Sequence, residues 1–171
     1  SVIFDLGEVL LNAIRDSGRK LGEDYGIDCS AAPGAEKFSA YGTLHPLFVP
    51  AIIDYVNGVS NEDDYFAAVR AAYPALAGVD LKAYVREHFT EIAGTRDIIL
   101  KLKKLGYRLG LLSVHAKEWI GYCEEKFHFL GLFDAVSFSY EAGVSKPDPK
   151  AYYVILDKLN TAPEQCLFID D

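Results

Sequence analysis

Five side chains with chemistry to offer stand at or just beyond the ends of short apolar runs. Asp5 follows Val2, Ile3 and Phe4 in "SVIFDLGEVL", Ser113 closes "YRLGLLS", and Asp170 with Asp171 closes "CLFIDD". Lys146, in "GVSKPDPKAY", comes after the run Ala135 to Phe138. If these runs are neighbouring parallel strands, their carboxyl ends share one edge, which is where open parallel sheets bind ligands. Three carboxylates, a hydroxyl and an ammonium would then converge. Such a set can hold a divalent cation through oxygen ligands and, beside it, a phosphate whose charge is balanced by the cation and the lysine.

The elements that must position them follow from the apolar pattern. Val2 to Leu6, Tyr107 to Ser113, Ala135 to Phe138 and Cys166 to Ile169 are short and apolar, as strands buried on both faces are. Helical patterns lie between the later runs. "GTRDIILKLKKLG" offers Thr95 as N-cap, Ile98, Ile99, Leu102 and Leu105 as an apolar face, and Gly106 as the stop. Lys117 to Phe129 reads as a helix, and so does "KPDPKAYYVILDKLN", which begins near Pro149. This alternation predicts an α/β, Rossmann-like three-layer core with a parallel sheet. Residues 11–93 show no strand pattern and read as helices, one capped by Ser60 in "SNEDDYFAAVRAAY" and one by Asp80. The expected division is a core made of 1–10 and 94–171, with an all-α cap of 11–93 inserted after the first strand. A sheet whose last strand ends at Asp171 would lack a covering helix, so further chain is expected beyond it.

Composition narrows the partners. Half of the 171 residues are apolar and a quarter are charged, the profile of a soluble globular protein. A net charge of −8, with no basic run, argues against a nucleic-acid backbone or an anionic membrane as partner, while a local pocket can still take a small anion. Cys29, Cys123 and Cys166 are odd in number and form no C-x-x-C pair, so they are expected to be reduced thiols rather than a disulfide framework or zinc site. With no membrane-length apolar stretch and no leader pattern, a cytoplasmic protein is expected. His45, His88 and His128 show no metal-ligand spacing, and Tyr41 and His45 are candidates to reach a substrate from the inserted segment.

The segments "FDLGEVL", "GLLSVH", "GVSKPDPKAY" and "LFIDD", in this order and with a helical insertion after the first, resemble the four motifs of the haloacid dehalogenase-like hydrolase superfamily. The resemblance is to the subgroup with a helical cap just after motif one. It implies that Asp5 is a nucleophile forming an aspartyl-phosphate, that Ser113 binds a phosphoryl oxygen, and that Lys146 balances charge on both. It also implies Mg²⁺ as cofactor, ligated by Asp5, by Asp171 and by the carbonyl of Gly7, with Asp170 acting through a bound water or as a neighbouring acceptor. The implied activity is a Mg²⁺-dependent phosphatase acting on a small phosphorylated metabolite, with sugar phosphates as the expected class.

Gly7 departs from the pattern. Most phosphatases of the superfamily carry there a second aspartate that protonates the leaving oxygen, and losing a positioned acid–base group typically costs about 10²- to 10⁴-fold. Glu8 and His115 are the candidates to replace it. Two other functions fit parts of the pattern. A metal-independent 2-haloacid dehalogenase also lacks an acid at the Gly7 position, but it does not keep the acid pair and usually has asparagine where Val114 stands. A non-catalytic binding protein on the same fold would keep the ligands without turnover.

Overall fold

The computed structural model describes residues 1–12, 14–27, 48 and 51–171. Tyr41 and His45, together with Cys29, lie outside the described residues. Among the described residues there are six strands: β1 (Val2–Phe4), β2 (Leu11–Asn12), β3 (Thr90–Glu91), β4 (Leu109–Ser113), β5 (Ala135–Phe138) and β6 (Leu167–Ile169). Eight α-helices accompany them among the described residues: α1 (Ile14–Asp24), α2 (Ile52–Val56), α3 (Glu62–Ala72), α4 (Leu81–His88), α5 (Thr95–Lys104), α6 (Lys117–Phe127), α7 (Ser139–Ala142) and α8 (Pro149–Leu159).

Four strands form one parallel sheet in the order β5-β4-β1-β6. The chain runs outward from β1 through β4 to β5 and then returns to the other side of β1, so strand order reverses beside β1. Alternate residues of a strand face opposite sides of its sheet, and both sides here are apolar. Val2, Phe4, Leu109 and Leu111 belong to a core shared with Ile99 of α5, Trp119, Ile120 and Cys123 of α6, and the inserted helices. Ile3 and Leu112 face the other way, onto Ala151, Ile155, Leu156 and Leu159 of α8. Gly110 lets α8 come close: a Cβ there would meet Leu159 Cδ1 at 2.8 Å and Ile3 Cγ1 at 3.2 Å.

The described part of 11–93 contains α1 to α4, bracketed by a ribbon that the periodicity does not show. β2 and β3 pair antiparallel, Leu11 with Glu91 and Asn12 with Thr90. Two residues are too few for an alternating pattern to register. Two helix starts also differ by one residue. α5 begins after Gly94, which takes a left-handed φ of 89°, while Thr95 Oγ1 donates to the Val9 carbonyl. α3 is capped by Asn61, whose side chain accepts from the Asp64 N–H, rather than by Ser60. Asp80 caps α4 as expected, accepting from the Ala83 N–H at 3.1 Å. Only Ile99 and Leu102 of the expected α5 face pack inward, while Ile98 and Leu105 are exposed.

Candidate active site

The strand register brings the predicted residues to one edge. Phe4 pairs with Leu111 on one side and Ile169 on the other, so Asp5 lies level with Asp170, and its N–H donates to the Ile169 carbonyl at 2.9 Å. Ser113 ends β4, buried and one position further along. After Asp5 the chain folds back tightly. The Leu10 and Leu11 N–H groups both donate to the Leu6 carbonyl, the Glu8 N–H donates to the Leu11 carbonyl, and Glu8 takes a φ of 56°. Gly7 sits inside this turn and bridges to Leu11.

Lys146 joins the two acidic strand ends. Its Nζ lies 2.9 Å from Asp5 Oδ2 and 3.1 Å from Asp170 Oδ1, with the Phe168 ring 5.1 Å away. Asp5 Oδ1 accepts the Leu6 N–H at 2.7 Å. Asp171 completes the group, since Asp5, Asp170 and Asp171 each offer a carboxylate oxygen within 4.8 Å of the others. Among the predicted residues, the structure therefore brings Asp5, Lys146, Asp170 and Asp171 together and sets Ser113 on the adjacent strand end.

The electrostatics follow from burial. Asp5 is 8% exposed, and desolvation pushes its carboxyl up to about 6 against the pull of Lys146 and the Leu6 N–H, with Asp170 adding to the rise. Burial pulls the Lys146 ammonium down, but Asp5 and Asp170 outweigh it and hold its pKa above the ordinary lysine value. Three carboxylates against one ammonium leave a surplus of negative charge. That surplus, oxygen-only and centred on a buried acid that resists ionisation, fits a hard divalent cation such as Mg²⁺.

His115 occupies a different setting. Its ring packs against Phe89 and edge-on to Trp119, with centroids at 6.0 and 5.8 Å. Nδ1 accepts the Ala116 N–H, which places the ring proton on Nε2, and burial pushes the pKa down to about 4. The sequence reading missed Phe168 as a partner of Lys146, although its place two residues before Asp170 on an alternating strand was the available signal. It also missed the Leu6 N–H, a backbone donor that no residue type announces.

A family model described as haloacid dehalogenase-like hydrolase matches residues 1–171, and the chain belongs to that family. It is 28% identical over 141 residues to the glyceraldehyde 3-phosphate phosphatase of Methanopyrus kandleri, covering 80% of this chain and 54% of that protein. The protein of the same name from Pyrococcus furiosus is 33% identical over 106 residues, covering 57% of this chain and 42% of the relative. The chain thus spans about half the length of the curated relatives it matches. A haloacid dehalogenase family enzyme from Bacteroides thetaiotaomicron, solved with magnesium and inorganic phosphate, superposes with a TM-score of 0.69 at 21% identity over 99% of this chain and 83% of that one. An L-2-haloacid dehalogenase superposes with a TM-score of 0.64 at 22% identity over 98% and 76% of the two chains. These two likenesses show the shared fold.

Proposed function

We propose that the chain is a Mg²⁺-dependent phosphatase of a small phosphorylated metabolite, with sugar phosphates as its substrate class. The observation that carries this reading is the Lys146 ammonium shared between Asp5 and Asp170 beside a three-carboxylate group. The relatives named as phosphatases of a triose phosphate support the substrate class. Asp5, Asp170 and Asp171, with the Gly7 carbonyl, would hold Mg²⁺, which when bound neutralises and orients the phosphate.

In this reading the ionised Asp5 attacks phosphorus, a P–O bond forms to its carboxylate, and the bond to the leaving oxygen breaks. Lys146 and Ser113 steady the phosphoryl oxygens as charge shifts onto them. The leaving oxygen takes up a proton, and water then displaces phosphate from Asp5. His115 enters the reaction neutral, with its remaining proton on a weakly acidic imidazole nitrogen. Glu8, one residue beyond Gly7 in the same tight turn, is the other candidate donor. Residues 11–93 act as a cap that limits substrate size and keeps water from the attack.

The test is inorganic phosphate release from a panel of sugar monophosphates, with and without Mg²⁺. Asp5→Asn is expected to abolish metal-dependent release, and Glu8→Gln to slow it by about 10²-fold, the typical worth of a positioned acid. Release that persists in Asp5→Asn would refute the nucleophile assignment.

A further inference from the structure

The Lys146 ammonium has partners of two kinds. Its Nζ lies 2.9 Å from Asp5 Oδ2 and 3.1 Å from Asp170 Oδ1, and it stands over the Phe168 ring at 5.1 Å from the centroid. An ammonium within about 6 Å of a ring centroid is drawn to the negative face of the ring, more strongly where water is kept away. The Lys146 side chain is only 14% exposed, so this contact is largely desolvated.

The fold places the ring for this role. Side chains alternate along β6, and Phe168 falls on the face that carries Ile3 and Leu112 and packs on α8. Tyr152, in the first turn of α8, meets the ring edge-on, with centroids at 5.5 Å and planes at 88°. Lys146 stands just before the same helix. Phe168 is thus held from one side by α8 and offers a face to the lysine that leads into α8. Its register partner Ile3 is aliphatic, so packing on this face does not by itself call for an aromatic residue. What a ring adds is the negative face.

The carboxylates cannot give the same oxygens to a cation and to Lys146. Asp5, Asp170 and Asp171 each offer an oxygen within 4.8 Å of the others, so oxygens turned to a cation are withdrawn from both ion pairs of the lysine. Hard divalent cations take oxygen ligands, and the ring is a partner for which they do not compete. Its hold on the ammonium counts most once the carboxylates are drawn away, because a paired ammonium presents less charge to it.

We infer that Phe168 is a positioning residue for Lys146: its ring keeps the ammonium at the strand ends when Asp5 and Asp170 turn their oxygens to a divalent cation, so that lysine and cation serve one phosphate together. The inference rests on the Mg²⁺-dependent phosphatase reading for its effect on turnover, while the ring–ammonium contact stands without it.

The experiment is a double-mutant cycle of Phe168→Leu and Lys146→Met in the full chain, with Mg²⁺ alone titrated by calorimetry at constant pH. Phe168→Leu is expected to weaken Mg²⁺ binding about threefold or more while Lys146 is present, and to leave it unchanged in Lys146→Met. With a sugar monophosphate as substrate, Phe168→Leu should lower kcat about fivefold and move KM less. Replacing Phe168 by a ring-fluorinated phenylalanine keeps the shape and drains the negative face, so it should shift both readings in the same direction by a smaller factor. That protein also keeps the test decisive should Phe168→Leu lose its fold. Equal losses of Mg²⁺ affinity in both backgrounds, or native behaviour of the fluorinated protein, would make the ring a packing element of β6 and overturn the proposal while leaving the phosphatase standing. A coupled cycle without phosphate release from any sugar monophosphate would retain the proposal and overturn the phosphatase reading. Absence of Mg²⁺ binding by the native chain overturns both.

Discussion

Lys146 competes for the oxygens that a cation would use. Its ammonium contacts both Asp5 and Asp170, two of the three acids in the group. Lys146→Met would free those oxygens, so Mg²⁺ affinity should tighten at pH 8, where Asp5 is ionised. Turnover should nevertheless fall by about 10²-fold or more, because a fixed donor to the phosphoryl group is gone. Calorimetry and phosphate release read the two effects separately, and a parallel loss of both would contradict this division of labour. His115 carries a second residue-scale prediction. Its folded pKa of about 4 lies below the ordinary 6.5, so the unfolded chain binds a proton that the folded chain refuses. The resulting stability is complete above about pH 6.5 and is lost as pH falls toward 4, by about 3 kcal/mol in all. Urea unfolding at steps from pH 7.5 to 4.5 should show that loss in the native chain, and the difference from His115→Leu should shrink across the same window.

At the scale of elements, the carboxyl edge depends on how closely α8 seats against β4. A Cβ at Gly110 would enter the space of Leu159, Ile3 and Ile155, all buried on that face. Gly110→Val should therefore cost about 1–3 kcal/mol through overpacking, with Gly110→Ala milder, as measured by chemical denaturation. A neutral Gly110→Val would mean that α8 is free to shift. These elements also show what the sequence could reveal. The strands of the sheet were legible because each is a short apolar run, and the site because polar residues stand at the ends of those runs. Asp5, Asp170 and Lys146 were thus found before their contacts were known. The β2–β3 ribbon was not legible, since pairing between Asn12 and Thr90, 78 residues apart, leaves no signal in either two-residue segment alone. The caps slipped from Thr95 to Gly94 and from Ser60 to Asn61 because adjacent residues can each end a helix and only backbone geometry selects one. His115 was placed near the chemistry by its distance along the chain from Ser113, whereas its ring is buried against Phe89 and Trp119.

For the molecule as a whole, the open question is whether the inserted helices fold as a unit of their own. The contacts argue that they do not. Tyr55, Tyr65 and Phe66 from the insertion pack around Trp119 of α6, with Tyr55 stacked on Tyr65 at 4.7 Å and edge-on to Trp119 at 5.0 Å. Polar bonds cross the same seam: Tyr122 donates to Glu62, and the Ser139 hydroxyl donates to the Val56 carbonyl while accepting the His115 N–H. One continuous apolar cluster runs from Val2 and Phe4 through Trp119 to Tyr65 and Val85. Trp119 is the sole tryptophan, so its fluorescence reports the seam directly. Urea unfolding followed by that fluorescence and by far-ultraviolet circular dichroism should give coincident transitions. Ser139→Ala leaves the Val56 carbonyl and the His115 N–H unpaired at a buried position, which should lower stability by about 1–3 kcal/mol. If insertion and core form one cooperative unit, that variant shifts both signals together. A fluorescence transition that precedes the dichroism in either protein would instead make the insertion a separately melting unit.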